Sequence, residues 1–137
     1  MDYRSNKAWK ACDDLAVAVY RATEAYPNHE RYGLVSQMRR AAVSAAANIA
    51  EGYGRATVKD LRRFLYQARG SLYEVEYFVH LSGRLGYLDT KRQTPLSEQQ
   101  AQAARILQGL INHWNRQLKA GRVHLDAPSP QPPVPGS

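Results

Sequence analysis

The sequence predicts an all-α protein built as an antiparallel up-down four-helix bundle. Three observations carry this. Apolar residues recur at helical steps of three and four in four separate segments, with no competing alternation of strand type. The four segments have similar lengths of about 20–28 residues, or roughly 30–42 Å of helix. Short connections join them, which makes chain neighbours antiparallel neighbours in space. At 137 residues the chain suits one domain with one core. Residues 1–125 are assigned to the bundle and residues 126–137 to a tail.

In the first segment Trp9, Cys12, Ala16, Val19 and Thr23 form the stripe, and Leu15 and Tyr20 widen it into a core-facing band. Ser5 is the expected N-cap, and Pro27 closes the segment. The second helix is expected from about Glu30 to about Tyr53. Its stripe of Val35, Met38, Ala42, Ala45, Ile49 and Gly52 has heptad-like spacing and mostly small members, so a neighbour can approach closely. Gly52 and Gly54 supply the stop. The third helix opens at Thr57, with Asp60 three residues on in the manner of a capping box. Leu61, Leu65, Ala68, Leu72, Val75, Val79 and Ser82 hold its rhythm, and it ends near Gly83–Gly86. The fourth is expected to start at "TPLSEQ", with Thr94 as cap and Pro95 in the first turn, after a somewhat longer loop, "YLDTKRQ". Ala103, Leu107, Leu110, Trp114 and Leu118 form its stripe, and Gly121 is the expected C-cap. The terminal "APSPQPPVPGS" holds five prolines and no charge. It cannot build a core and is expected to be disordered.

The formal net charge is +7, concentrated mid-chain: residues 31–92 carry eleven basic and five acidic side chains. A basic domain favours anionic partners, nucleic acid first, although such a charge also serves solubility alone. Cys12 is the only cysteine, which excludes an intrachain disulfide and suits a small buried hydrophobe. No apolar run approaches the ~20 residues that span a bilayer, and "MDYRSNKAWK" lacks the apolar core of a signal peptide. The expectation is a cytoplasmic protein with no membrane partner.

Two polar stripes exceed what one core needs. On the third helix Arg62, Tyr66, Arg69, Tyr73, Tyr77, His80 and Arg84 fall between about 80° and 160° from Leu61. Arginine neutralises phosphates and tyrosine offers a stacking platform for unpaired bases. The same residue types are enriched in protein–protein interfaces. The row is therefore a subunit interface, a nucleic-acid surface or a plain solvated face. Arg39, Lys59, Arg62, Arg63, Arg69 and Arg84 are the candidate nucleic-acid contacts, and Tyr66, Tyr73, Tyr77 and His80 the candidate interface. On the second helix Arg40, Ser44, Asn48, Glu51 and Arg55 share one face beside the apolar seam. This reads as a structural network reaching the third helix. Arg40 or Arg55 is expected to pair with Glu74, and Asn48 to hydrogen-bond across the gap.

An enzyme is not expected. Ser44 has no histidine at helical spacing, no His/Cys pair has zinc spacing, and no Glu-x-x-His pair marks a di-iron bundle. Glu76 and His80, at i and i+4, read as a surface pair. "EGYGR" lacks the preceding strand and the glycines of a phosphate loop. No metal or other cofactor is expected.

The run Arg40-x-x-x-Ser44-x-x-x-Asn48-Ile49-x-Glu51-Gly52, with the later Gly70-Ser71-x-x-Glu74, resembles the four-helix bundle protein family, also called 23S rRNA-intervening-sequence proteins. Trp9, Pro27, Glu30, Arg31, Gly33, Phe64, Leu85, Gly86 and Leu88 extend the likeness over roughly residues 7–120. Ala45–Ala47 depart from it, standing in place of a bulkier run. The resemblance implies an up-down bundle and a homopentameric ring, as in the related accessory variability determinant of diversity-generating retroelements. That relative has a basic surface, binds nucleic acid and associates with a reverse transcriptase. Other members are encoded within insertions in ribosomal RNA genes. The partners it implies are thus further copies of the chain, RNA or DNA, and a reverse transcriptase where the gene context provides one. The alternative is a structural or protein-interaction module that binds no nucleic acid.

Overall fold

Three of the four helices begin where a short polar side chain takes up free backbone N–H groups, and the computed structural model, which describes residues 2–125, places four α-helices in all. Helix α1 (Lys7–Thr23) is capped by Asn6, whose side-chain oxygen accepts from the N–H groups of Ala8 and Trp9. Ser5, the expected cap, instead closes a 3₁₀ turn (Tyr3–Ser5), its hydroxyl donating to the Asp2 carbonyl. Helix α2 (Leu34–Tyr53) starts later than expected because a separate 3₁₀ turn (Asn28–Glu30) and Gly33 precede it. Helix α3 (Val58–Arg84) opens at Thr57, whose hydroxyl accepts from Asp60 N–H at 3.2 Å.

Helix α4 (Thr90–Lys119) corrects the expected start at Thr94–Pro95. Asp89 caps it by accepting from Arg92 N–H at 2.9 Å, so the preceding loop is short. Pro95 lies inside the helix. It removes one backbone donor, to the carbonyl four residues back, but Lys91 and Pro95 are both exposed, and water can serve that carbonyl. Gly121 turns the chain out of α4 with φ 87°, the left-handed conformation that glycine adopts freely. The segment beyond runs back along the α2–α3 connection, with Val58 N–H donating to Val123 O and Leu125 N–H to Ala56 O.

The helices pack in a closed square: α1 on α2, α2 on α3, α3 on α4 and α4 on α1, with the diagonal pairs apart. Every member of the expected α2 and α3 stripes is buried. Tyr20 is not: it stands exposed on α1, and Leu15 and Val19 fill the core beside it. Small residues bring α2 and α3 together. A Cβ on Gly52 would stand 2.8 Å from Leu61 Cδ1 and 3.1 Å from Phe64 Cβ. Gly52 therefore serves close approach, and Gly54 alone caps the helix.

Both ends of the square are clamped. At one end the Tyr53 hydroxyl accepts from Asn6 Nδ2 (3.2 Å) and Trp114 Nε1 (3.1 Å), tying α1, α2 and α4. At the other the Tyr87 hydroxyl donates to Glu30 Oε2 at 2.9 Å and joins the α1–α2 and α3–α4 connections. That carboxylate pushes the Tyr87 phenol up.

Candidate nucleic-acid interface

A single core leaves the outward face of a bundle helix free, and the sequence of α3 fills that face with rings and cations. Lys59, Arg63, Tyr66, Gly70, Tyr73, Tyr77, His80 and Arg84 alternate at steps of four and three down the solvent side. This is a second heptad row, opposite the leucine–valine row that faces the core. Tyr66, Tyr73 and Tyr77 are 38%, 56% and 57% exposed. The Tyr66 hydroxyl accepts from Asn115 Nδ2 of α4 at 3.3 Å, whereas Tyr73 and Tyr77 make no side-chain hydrogen bond among the described residues. Between the first two rings Gly70 meets nothing that a Cβ would touch, which leaves a notch in the row.

The cations differ in how far they are engaged. Lys59, Arg62, Arg63 and Tyr66 line a groove of about 530 Å³ in the first turns of α3, where Asp60 is the one acid. Arg63 lies 3.9 Å from Asp60 and stacks over the Phe64 ring. Arg62 donates to Asn115 Oδ1 at 3.3 Å, and Arg69 to Gln108 Oε1 at 3.2 Å. Both acceptors are amides of α4, so both arginines are held in place without losing charge. Arg69 also covers the Tyr66 ring at 4.7 Å. Arg84 ends the same helix, about 33 Å from Arg62 at 1.5 Å per residue. Arg39 is elsewhere, on α2, bonded to Thr23 Oγ1 and the Tyr20 carbonyl of α1. The six expected contacts thus form one α3 cluster and two outliers.

The α2 polar row is a local network rather than an ionic bridge. Asn48 Nδ2 donates to Ser44 O and Oγ on its own helix, both at 2.9 Å. The link to α3 runs through the half-buried Ser44, whose Oγ accepts from Ser71 Oγ at 3.0 Å. Arg55 pairs with Glu51 at 2.8 Å. The expected pairing of Arg40 or Arg55 with Glu74 does not form: Arg55–Glu51 and Arg63–Asp60 are the only salt bridges among the described residues. The two serines are short enough to meet where the alanine seam brings the helices together, whereas Arg40 and Glu74 both reach into solvent.

Nothing among the described residues groups three metal-ligating side chains. Cys12 is fully buried, and burial pushes its thiol up to about 12. A thiol so protonated is a poor nucleophile. No helix among the described residues is long and apolar enough to cross a membrane.

The family model described as "23S rRNA-intervening sequence protein" matches residues 4–109. No curated protein matches the chain. Among solved structures, a protein of unknown function from the S23 ribosomal protein family of Bacteroides thetaiotaomicron is similar, with a TM-score of 0.73 at 20% identity. The alignment covers 82% of this chain and 99% of that one, and the likeness extends to the fold.

Proposed function

The chain belongs to the 23S rRNA-intervening sequence protein family, and from that premise we propose that it is a non-enzymatic, self-assembling bundle whose basic surface binds nucleic acid. The observation that carries this is the second heptad row on α3. Exposed rings at heptad spacing are what a helix of another copy packs against, and the aromatic content is unusual for a face left to water. In a homopentameric ring Tyr66, Tyr73, Tyr77 and His80 lie between copies, while Lys59, Arg62 and Arg63 remain at the rim for phosphates. Five copies multiply the +7 of each chain about fivefold, which raises the attraction for a polyanion.

Light scattering of the full chain tests assembly, and RNA and DNA affinity measured against salt tests binding. Tyr73→Glu with Tyr77→Glu is expected to give monomers. Lys59→Glu with Arg63→Glu is expected to keep the mass and abolish binding. A monomeric wild type overturns assembly. A salt-independent affinity, or no binding at about 50 mM salt, overturns the nucleic-acid role and leaves a protein-interaction module.

A further inference from the structure

A second basic groove lies between α1 and α2, away from the α3 row. It measures about 550 Å³ and is lined by Arg31, Arg39 and Arg40, by Tyr20 and Tyr32, and by no carboxylate. None of the three arginines joins a salt bridge among the described residues. Arg39 is nonetheless fixed. Its Nε donates to Thr23 Oγ1 at 2.9 Å, a terminal nitrogen donates to the Tyr20 carbonyl at 3.2 Å, and the guanidinium sits 4.5 Å over the Tyr20 ring. All these partners are neutral, so the cation is oriented and its charge uncompensated. That is the condition in which a guanidinium best receives a phosphate.

Arg40 makes no hydrogen bond among the described residues and points to solvent. Tyr32 is 88% exposed and carries only Arg31, 5.6 Å above its ring. A ring left in water beside three cations without a carboxylate partner is a platform for a base. Stacking needs a base outside a duplex, and the groove volume falls in the range of sites that enclose a small ligand.

We propose that the α1–α2 groove binds a single-stranded nucleic-acid segment, with its phosphates on Arg31, Arg39 and Arg40 and an unpaired base on Tyr32. This rests on the nucleic-acid reading above and adds a site and a strand preference to it. Tyr32→Ala and Arg40→Ala test it, since both side chains are exposed and neither makes a hydrogen bond within the described chain. The probes are a labelled single-stranded RNA of about 12 nucleotides, within the span one site covers, and the duplex it forms with its complement. Circular dichroism checks that each variant keeps its helices.

Tyr32→Ala is expected to weaken single-strand binding by between about fivefold and 150-fold, the value of one stacked base, and to leave duplex binding unchanged. Arg40→Ala is expected to flatten the plot of log affinity against log salt by about 0.7. Wild-type affinity in both variants, alongside loss in Lys59→Glu with Arg63→Glu, overturns the groove and leaves the wider reading standing. Equal loss for single strand and duplex in Tyr32→Ala overturns the strand preference. Failure of the wild type to bind either probe overturns both readings.

Discussion

Replacing Gly52 with alanine tests the seam that holds α2 against α3. Alanine is the better helix former by about 1 kcal/mol, so an isolated helix would gain. Here the added Cβ would stand 2.8 Å from Leu61 Cδ1, 3.1 Å from Phe64 Cβ and 3.3 Å from the Leu61 carbonyl oxygen. The Leu61 methyl is fully buried and has nowhere to turn. The other two atoms are part of α3 or attached directly to it, so the helices must part by tenths of an ångström. Overpacking of this kind costs about 1–3 kcal/mol. Set against the propensity gain, the net loss is up to about 2 kcal/mol, a fall in Tm of up to about 10 °C. Gly109→Ala is the control, because nothing lies within 4 Å of its Cβ and it stands exposed on α4. It should raise Tm by a few degrees. Thermal unfolding followed by circular dichroism, at one protein concentration for all variants, reads both changes. A rise for Gly52→Ala equal to that for Gly109→Ala would refute the close-approach argument.

Three further outcomes follow from the same geometry. Tyr53→Phe removes the acceptor for Trp114 Nε1 and Asn6 Nδ2; stability measured in urea should fall by about 1–2 kcal/mol, with a shift in tryptophan emission, and an unchanged midpoint would count against this clamp. Asp89→Ala should cost about 1 kcal/mol by uncapping α4, whereas Thr94→Ala should cost nothing comparable; the reverse order in urea titrations would restore the start at Thr94. In alkali the folded state keeps the Cys12 proton that the unfolded chain releases above 9.0, since burial raises this thiol to about 12. The folded state then binds more protons, so stability is full below about pH 9 and falls as pH rises, by up to about 1.4 kcal/mol per pH unit between the two values. The buried Tyr26 and the half-buried Tyr53, also raised by desolvation, act in the same direction. Cys12→Ala should remove one such increment from the slope, and an identical pH profile would contradict it.

Burial at a fixed helical step is a local property, and the chain states it openly. That is why the α2 and α3 stripes, the Thr57 cap and the turn at Gly121 are legible from residue order. The α4 start is not, because two capping signals compete within six residues. Thr94–Pro95 has the stronger pattern, yet Asp89 captures the helix first, and Pro95 is tolerated on an exposed face where water reaches the freed carbonyl. Tyr20 has the right spacing for the core and still faces out, where its ring supports Arg39 instead.

The surface is harder to read. The α3 row is visible as a stripe, but the partners of Arg62 and Arg69 are amides near the end of the chain, and no periodicity links them. The same holds for the α1–α2 groove, which joins Tyr20 of one helix to Arg31, Arg39 and Arg40 around the next. Arg40 belongs to a row shared with Ser44 and Asn48, which points toward a packing role. Only the fold reveals that Ser44 makes the bridge while Arg40 stays free.

The cations left uncompensated on this bundle are proposed to form a nucleic-acid surface. Titrating the full chain with labelled single-stranded RNA between about 50 and 200 mM salt tests it most directly. The predicted result is a straight line of log affinity against log salt with a steep negative slope, about 0.7 for each phosphate neutralised. A flat line, or no binding at the low-salt end, would contradict it.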